Sequence, residues 1–235
     1  TIVTNVDEFT DIGAKTGLWF SELTQFWKVV EKAGYEIDIA SPLGGKIPLV
    51  PQSLMIVQIA GAVGLRGHVT KQYEDRTFME RLNKTLKVEE VQVEDYDAIY
   101  LVGGHGVMYD FTNHKPLLTL TAEFYEKGKI VSSVCHGPSG LLNVTLNNGS
   151  YLVDGKKVTG FSWREEKLAK RQHVVPYNLE AELKKRGANY RKALLPFNAH
   201  IVVDGRLVTG QNPLSAKGVG KAVVKLLDHS VGNDN

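Results

Sequence analysis

At 235 residues, with 43% hydrophobic and 23% charged positions, the chain has the composition of a globular protein able to bury its own core. Its 28 basic and 26 acidic side chains leave a net charge of +2, which gives no reason to expect nucleic acid or a membrane surface as a partner. The lone cysteine excludes an intrachain disulfide and favours a reducing, cytoplasmic setting, and no apolar run reaches the ~20 residues needed to span a bilayer.

In chain order, Ile2–Asn5 reads as a short strand. Leu23, Phe26, Trp27, Val30 and Ala33 follow at helical spacing, and Gly34 stops that helix. Tyr35–Ala40 alternates as a strand. Residues 43–86, with Pro48, Pro51 and several glycines, read as an insertion that walls the site, and Lys71–Asn83 within it as a surface helix. Ala98–Val102, closed by Gly103-Gly104, and Ile130–Val134 are compact apolar runs of the kind found in buried parallel strands. Between them Leu117 to Tyr125 reads as a helix that begins at Pro116 and ends at Gly128. Asp-Gly sits between apolar alternations in Tyr151–Val158 and again in Ile201–Val208, so each predicts a hairpin. Asn178–Arg186 and Leu214–Leu227 read as helices, and His229–Asn235 as a frayed polar tail. Strand–helix alternation predicts a single α/β domain over 1–235. Its sheet is mostly parallel, covered by helices on both faces as a three-layer sandwich, with small added β-hairpins.

Ser133-Val134-Cys135-His136-Gly137-Pro138 follows a strand and precedes a helical run. Small residues two before and two after the cysteine meet the steric demand of a nucleophile elbow. A helix beginning at Gly137 aims its N-terminus at the sulfur and favours thiolate. On composition alone a lone cysteine is more simply a buried, inert one. Gly103-Gly104-His105-Gly106 follows the neighbouring strand. Loops after adjacent parallel strands meet at their carboxyl ends, so Gly104 can offer a backbone N–H that pairs with that of His136 as an oxyanion hole. His105 can line the same pocket. Trp19 and Trp163 can form apolar walls, although core packing is the plainer reading. His68, His114, His173 and His200 lack spacing that suggests a metal site, and neither a Walker loop nor a dinucleotide fingerprint is present.

Leu101–Gly106 together with Ser133–Pro138 resembles the ThiJ/PfpI superfamily, whose fold is flavodoxin-like, of the class I glutamine amidotransferase type. Gly17–Glu22, Val158–Ser162 followed by Glu165-Glu166, and Asp204–Pro213 extend the likeness, which is strongest to the heat-shock chaperone and glyoxalase III branch. The resemblance implies Cys135 as nucleophile, His136 beside it, Glu166 orienting the histidine with Glu165 as the alternative, and Glu22 as a buried acid touching the sulfur. Without it, Glu165 and Glu166 read as a solvated first helical turn and Glu22 as a surface charge. It further implies a homodimer and a cofactor-free, glutathione-independent glyoxalase, converting the small aldehyde methylglyoxal to lactate, a lyase of the lactate dehydratase class. An amidase, peptidase or deglycase on the same scaffold, and a non-enzymatic stress chaperone or oxidant sensor, stay open beside it.

Overall fold

The computed structural model describes residues 1–10, 12–62 and 67–231. The strands in chain order are β1 (Ala40–Ser41), β2 (Leu86–Lys87), β3 (Ala98–Leu101), β4 (Ile130–Val134), β5 (Lys157–Val158), β6 (Asn189–Tyr190), β7 (Ile201–Asp204) and β8 (Leu207–Gly210). The main sheet runs β3-β4-β8-β7, parallel except for β7, which pairs antiparallel with β8. On its other side, single parallel bridges from Ile2 to Leu101 and to Ala40 connect it to the parallel β1–β2 pair.

Both faces of this sheet are apolar. Ile99 and Leu101 of β3, Val131 of β4 and Leu207 of β8 enter one buried cluster. Tyr100, Ile130, Val134 and Val208 enter the other. A period of two with apolar residues on both faces demands a layer of helices on each side. The helices are α1 (Phe20–Lys32), α2 (Pro51–Ala62), α3 (His68–Glu74), α4 (Arg76–Arg81), α5 (Val107–Asp110), α6 (Lys115–Glu126), α7 (Trp163–Leu168), α8 (Leu179–Lys185) and α9 (Ala216–Val231). α1 and α9 cover the second cluster through Phe26, Trp27, Val219 and Val223. α6 and α8 cover the first through Leu117, Phe124, Leu179 and Leu183. The α/β three-layer architecture expected from the strand–helix alternation is therefore present.

Local differences have physical causes. The expected strands Ile2–Asn5 and Tyr35–Ala40 shrink to an isolated bridge and to the two residues of β1, because residues 36 and 38 are exposed and leave no buried ladder. Ile201–Asp204 and Leu207–Gly210 do form the expected hairpin. Tyr151–Val158 does not. Leu152 and Val153 are consecutive and both fully buried, which breaks strand alternation, and Lys157-Val158 pairs in parallel with Asn189-Tyr190 instead. Residues 43–86 are largely helical rather than holding one surface helix: α2, α3 and α4 lie within them, and Phe78 packs edge-on against Trp27 and Phe20. Of the expected frayed tail, His229–Val231 continue α9 instead, and positions 232–235 lie outside the described residues.

Candidate active site

β4 is buried along its whole length and delivers Cys135 at its carboxyl end with φ +59°. A non-glycine residue in that region is strained and persists only when its surroundings over-determine it. Here the Cys135 N–H donates to Gly210 O at 2.9 Å, and the Cys135 carbonyl accepts from Phe161 N–H at 2.7 Å. The small neighbours are sterically required. A Cβ at Gly137 would stand 2.3 Å from Leu101 O. Past the cysteine the chain forms a five-residue 3-10 helix, Gly137–Leu141, rather than the expected α-helix.

The short helix changes the electrostatics. Burial and the Glu22 carboxyl push the Cys135 thiol well above the ordinary thiol range, with Glu165 and Glu166 adding to the push. This overturns the expectation that a helix N-terminus favours thiolate: removing the sulfur from water outweighs one turn of peptide dipoles. Glu22 is fully buried on α1, and burial raises it to about 8 against the hydrogen bonds from Cys135 and from Gly103 N–H, the latter at 2.9 Å. Thiol and carboxyl both keep their protons at neutral pH.

A histidine lies on the other side of the sulfur. The sulfur is 3.3 Å from His136 Nδ1, and His136 Nε2 is 2.8 Å from Glu166 Oε2. The second Glu166 oxygen is 2.8 Å from His105 Nε2. Burial opposes charge on Glu166, but the two histidines outweigh it and hold its pKa well below the usual carboxylate range. An ionised Glu166 only accepts hydrogen bonds, so both Nε2 atoms carry protons and donate to it, and the other ring nitrogen of His136, Nδ1, faces the thiol. Burial, with His136 adjacent, lowers His105 to about 4 and keeps it neutral. The two imidazoles lie 4.1 Å apart between ring centroids. His105, His136 and Glu166 also bring one donor atom each within 4.8 Å of one another, a spacing a cation could bridge only by displacing both His–Glu hydrogen bonds.

Glu165 does not substitute for Glu166. Capping-box geometry turns it away: its carboxylate accepts from Ser162 N–H at 3.0 Å, Gln211 at 2.8 Å, Asn212 at 2.9 Å and Phe197 N–H at 2.8 Å. It thereby ties three loops beneath the site. Trp163 also departs from expectation. It lines a separate surface depression beside Glu180 and Lys192, away from the cysteine. Trp19 does line the cysteine cavity, which measures about 320 Å³ and also includes Gly104, His105, Phe161 and Phe197. Val50 and Gln52 bring residues 43–86 to its wall, as expected. Phe197, Thr16 and Arg171 were not singled out in the sequence, since they lie on segments far apart in the chain with no local motif to mark them; Phe161 lies within the quoted Val158–Ser162 segment but was given no role.

Among the described residues, neither Gly104 N–H nor His136 N–H meets an acceptor, which leaves both open to a developing oxyanion. Gly104 has φ +114°, and a Cβ there would stand 2.1 Å from Gly17 O. Gly104→Ala should therefore cost several kcal/mol. Gly34→Ala, also at positive φ but with open space around it, should cost about 1–2 kcal/mol from strain alone. Urea denaturation of both variants checks the difference. Glu22 supplies a pH test. Its folded pKa lies above the unfolded value, so the native state holds the extra proton, and stability declines as pH rises from about 4.5 through about 8. Replacing it as Glu22→Gln should remove that decline, so the variant gains on the wild type by a few kcal/mol between pH 5.5 and 8.5.

A strained cysteine at the carboxyl end of a parallel strand, backed by a histidine and a carboxylate, defines a nucleophile-elbow α/β enzyme. The model of the DJ-1/PfpI family matches residues 16–226, and the chain belongs to that family. It is 32% identical to the glutathione-independent glyoxalase HSP31 of Saccharomyces cerevisiae, over 89% of each chain. It is 31% identical to glyoxalase 3 of Candida albicans, over 93% of this chain and 92% of the other. Among solved structures, rapid encystment protein 24 kDa of Francisella tularensis superposes with a TM-score of 0.88 at 34% identity, covering 96% of both chains. Glyoxalase III of Candida albicans gives 0.81 at 30%, covering 96% of this chain and 95% of that one.

Proposed function

We propose that this protein is a glutathione-independent glyoxalase that converts methylglyoxal and water to lactate. The observation that carries the reading is the relay from Cys135 Sγ to His136 Nδ1, 3.3 Å, and on to Glu166, 2.8 Å, beside a buried, protonated Glu22. The named activities of the relatives at about 30% identity support it.

His136 takes the thiol proton, and Glu166 stabilises the resulting imidazolium. The thiolate adds to the aldehyde carbon, and the new oxyanion receives the N–H groups of Gly104 and His136. His136 passes its proton to that oxyanion, and so freed it takes the hydrogen on the same carbon as a proton and delivers it to the neighbouring carbon, while the hydroxyl proton moves to the former ketone oxygen. The electron pair moves with this transfer: the aldehyde carbon is oxidised to a thioester and the ketone carbon reduced to an alcohol. Water hydrolyses the thioester, releases lactate and restores the thiol. No external oxidant or reductant enters. Purified protein given methylglyoxal without glutathione should produce lactate stoichiometrically. Consumption of methylglyoxal without lactate would remove the reading.

A further inference from the structure

Methylglyoxal carries no charge and has three carbons, yet part of the cavity wall is built differently from an apolar slot. Arg171 lines it half-buried, its guanidinium 5.5 Å above the ring of Phe9, and Phe9 in turn lies 5.4 Å from His105. Backbone N–H of Arg171 donates to Glu166 O at 3.0 Å, which fixes its place beside the relay. Among the described residues the guanidinium has no ion-pair or hydrogen-bond partner. Lys15, the other cation on this wall, is taken up by Asp7 at 2.8 Å and Glu8 at 3.6 Å. Thr16, beside it, is 2% exposed and lines the cavity, and its hydroxyl has no partner among the described residues. A buried hydroxyl without a partner is costly unless a ligand completes it, and a half-buried guanidinium free of protein partners is available to the same ligand.

We propose that Arg171 and Thr16 form an anion subsite, so that the preferred substrates are 2-oxoaldehydes whose far end carries a carboxylate or a phosphate. The proposal rests on the glyoxalase reading for the reacting end and on the cavity wall for the other. The guanidinium fork matches either oxyanion in a bidentate manner, and the hydroxyl supplies one more donor. The ring of Phe9 holds the guanidinium from below, and the apolar walls receive the carbon chain between the two ends. The reaction stays balanced: 4,5-dioxopentanoate plus water gives 2-hydroxyglutarate.

The test compares 4,5-dioxopentanoate with its uncharged methyl ester and with 4-phosphonooxy-2-oxobutanal. Wild-type kcat/KM should favour at least one anion over the ester by about tenfold, and which anion leads identifies the source. Arg171→Gln should bring that ratio close to one, Arg171→Lys should keep part of it, and Thr16→Val should reduce it, with the change in KM rather than kcat. A wild-type ratio near one, or a ratio that Arg171→Gln leaves unaltered, overturns the proposal. A second readout needs no turnover. The single cysteine can be alkylated by 4-(iodoacetamido)butanoate or by uncharged N-butyl iodoacetamide and followed by intact mass. A several-fold preference for the anionic reagent that disappears in Arg171→Gln supports the subsite even if no dicarbonyl is turned over, in which case the glyoxalase reading alone fails. Turnover of the ester and the anions at equal rates, with equal alkylation, removes the subsite and leaves the glyoxalase reading intact.

Discussion

Cys135→Ser should abolish lactate formation from methylglyoxal, with a loss of at least about 10³-fold in kcat/KM. The hydroxyl is a far weaker nucleophile toward a carbonyl at neutral pH, and its proton is harder for His136 to remove. The fold should survive, because the elbow is held by main-chain bonds to Gly210 and Phe161 and by the glycine at 137, none of which involve the sulfur. Far-ultraviolet circular dichroism and the urea midpoint should match the wild type. Lactate release within tenfold of the wild type would remove the covalent mechanism.

Glu166→Gln should lower kcat by about 10²–10³-fold. The amide keeps the shape but replaces a carboxylate that serves two histidines at 2.8 Å each. A glutamine offers one acceptor oxygen, so one of the two imidazoles must turn or lose its partner. Its NH₂ group also draws the wrong tautomer of the facing ring and removes the lone pair from Nδ1. The imidazolium formed on thiol ionisation then has no counterion. A steady-state comparison should show the loss in kcat with KM little changed. Glu165→Gln separates this effect from simple loosening. That residue sits one position away, binds Ser162, Gln211, Asn212 and Phe197 rather than a histidine, and should lower the urea midpoint more than it slows any chemical step. Equal kinetic losses in the two variants would show that the carboxylates act only as scaffolding.

Legibility in the sequence depends on where the information lies. Compact apolar runs such as Ile130–Val134 announce buried parallel strands because both faces must be covered, and the strand forms with those bounds. Small residues around Cys135 announce the elbow because a side chain at position 137 would strike Leu101 O. Adjacent Glu165 and Glu166 could not be separated by spacing. A slip of one position rotates a helical residue by about 100°, and here that angle sends one carboxylate to His136 and the other to Gln211. The hairpin expected at Tyr151–Val158 failed because Asp-Gly reports a reversal of direction but not its partner. α2 hid in a weakly apolar stretch of the sequence whose apolar and polar positions follow no helical period. The cavity lining, with Thr16, Arg171 and Phe197, is assembled from segments that only the folded chain brings together.

The two sides of the cavity are held by unlike means. On one side Gly104 rests against the Gly17 carbonyl and Gly17 against the Pro48 carbonyl, three stretches of main chain in direct contact with no side chain between them. On the other, Phe197 hangs from the Glu165 carboxylate by its N–H, at φ +61° and with the residue 42% exposed. Main chain stacked on main chain has almost nothing that can rotate, whereas a bent aromatic residue on one acceptor can swing by rearranging a single bond. Room for a bulkier substrate therefore comes from the Phe197 side, and differences in substrate range between this protein and its relatives should track the residues at and around position 197 before any in the glycine loop.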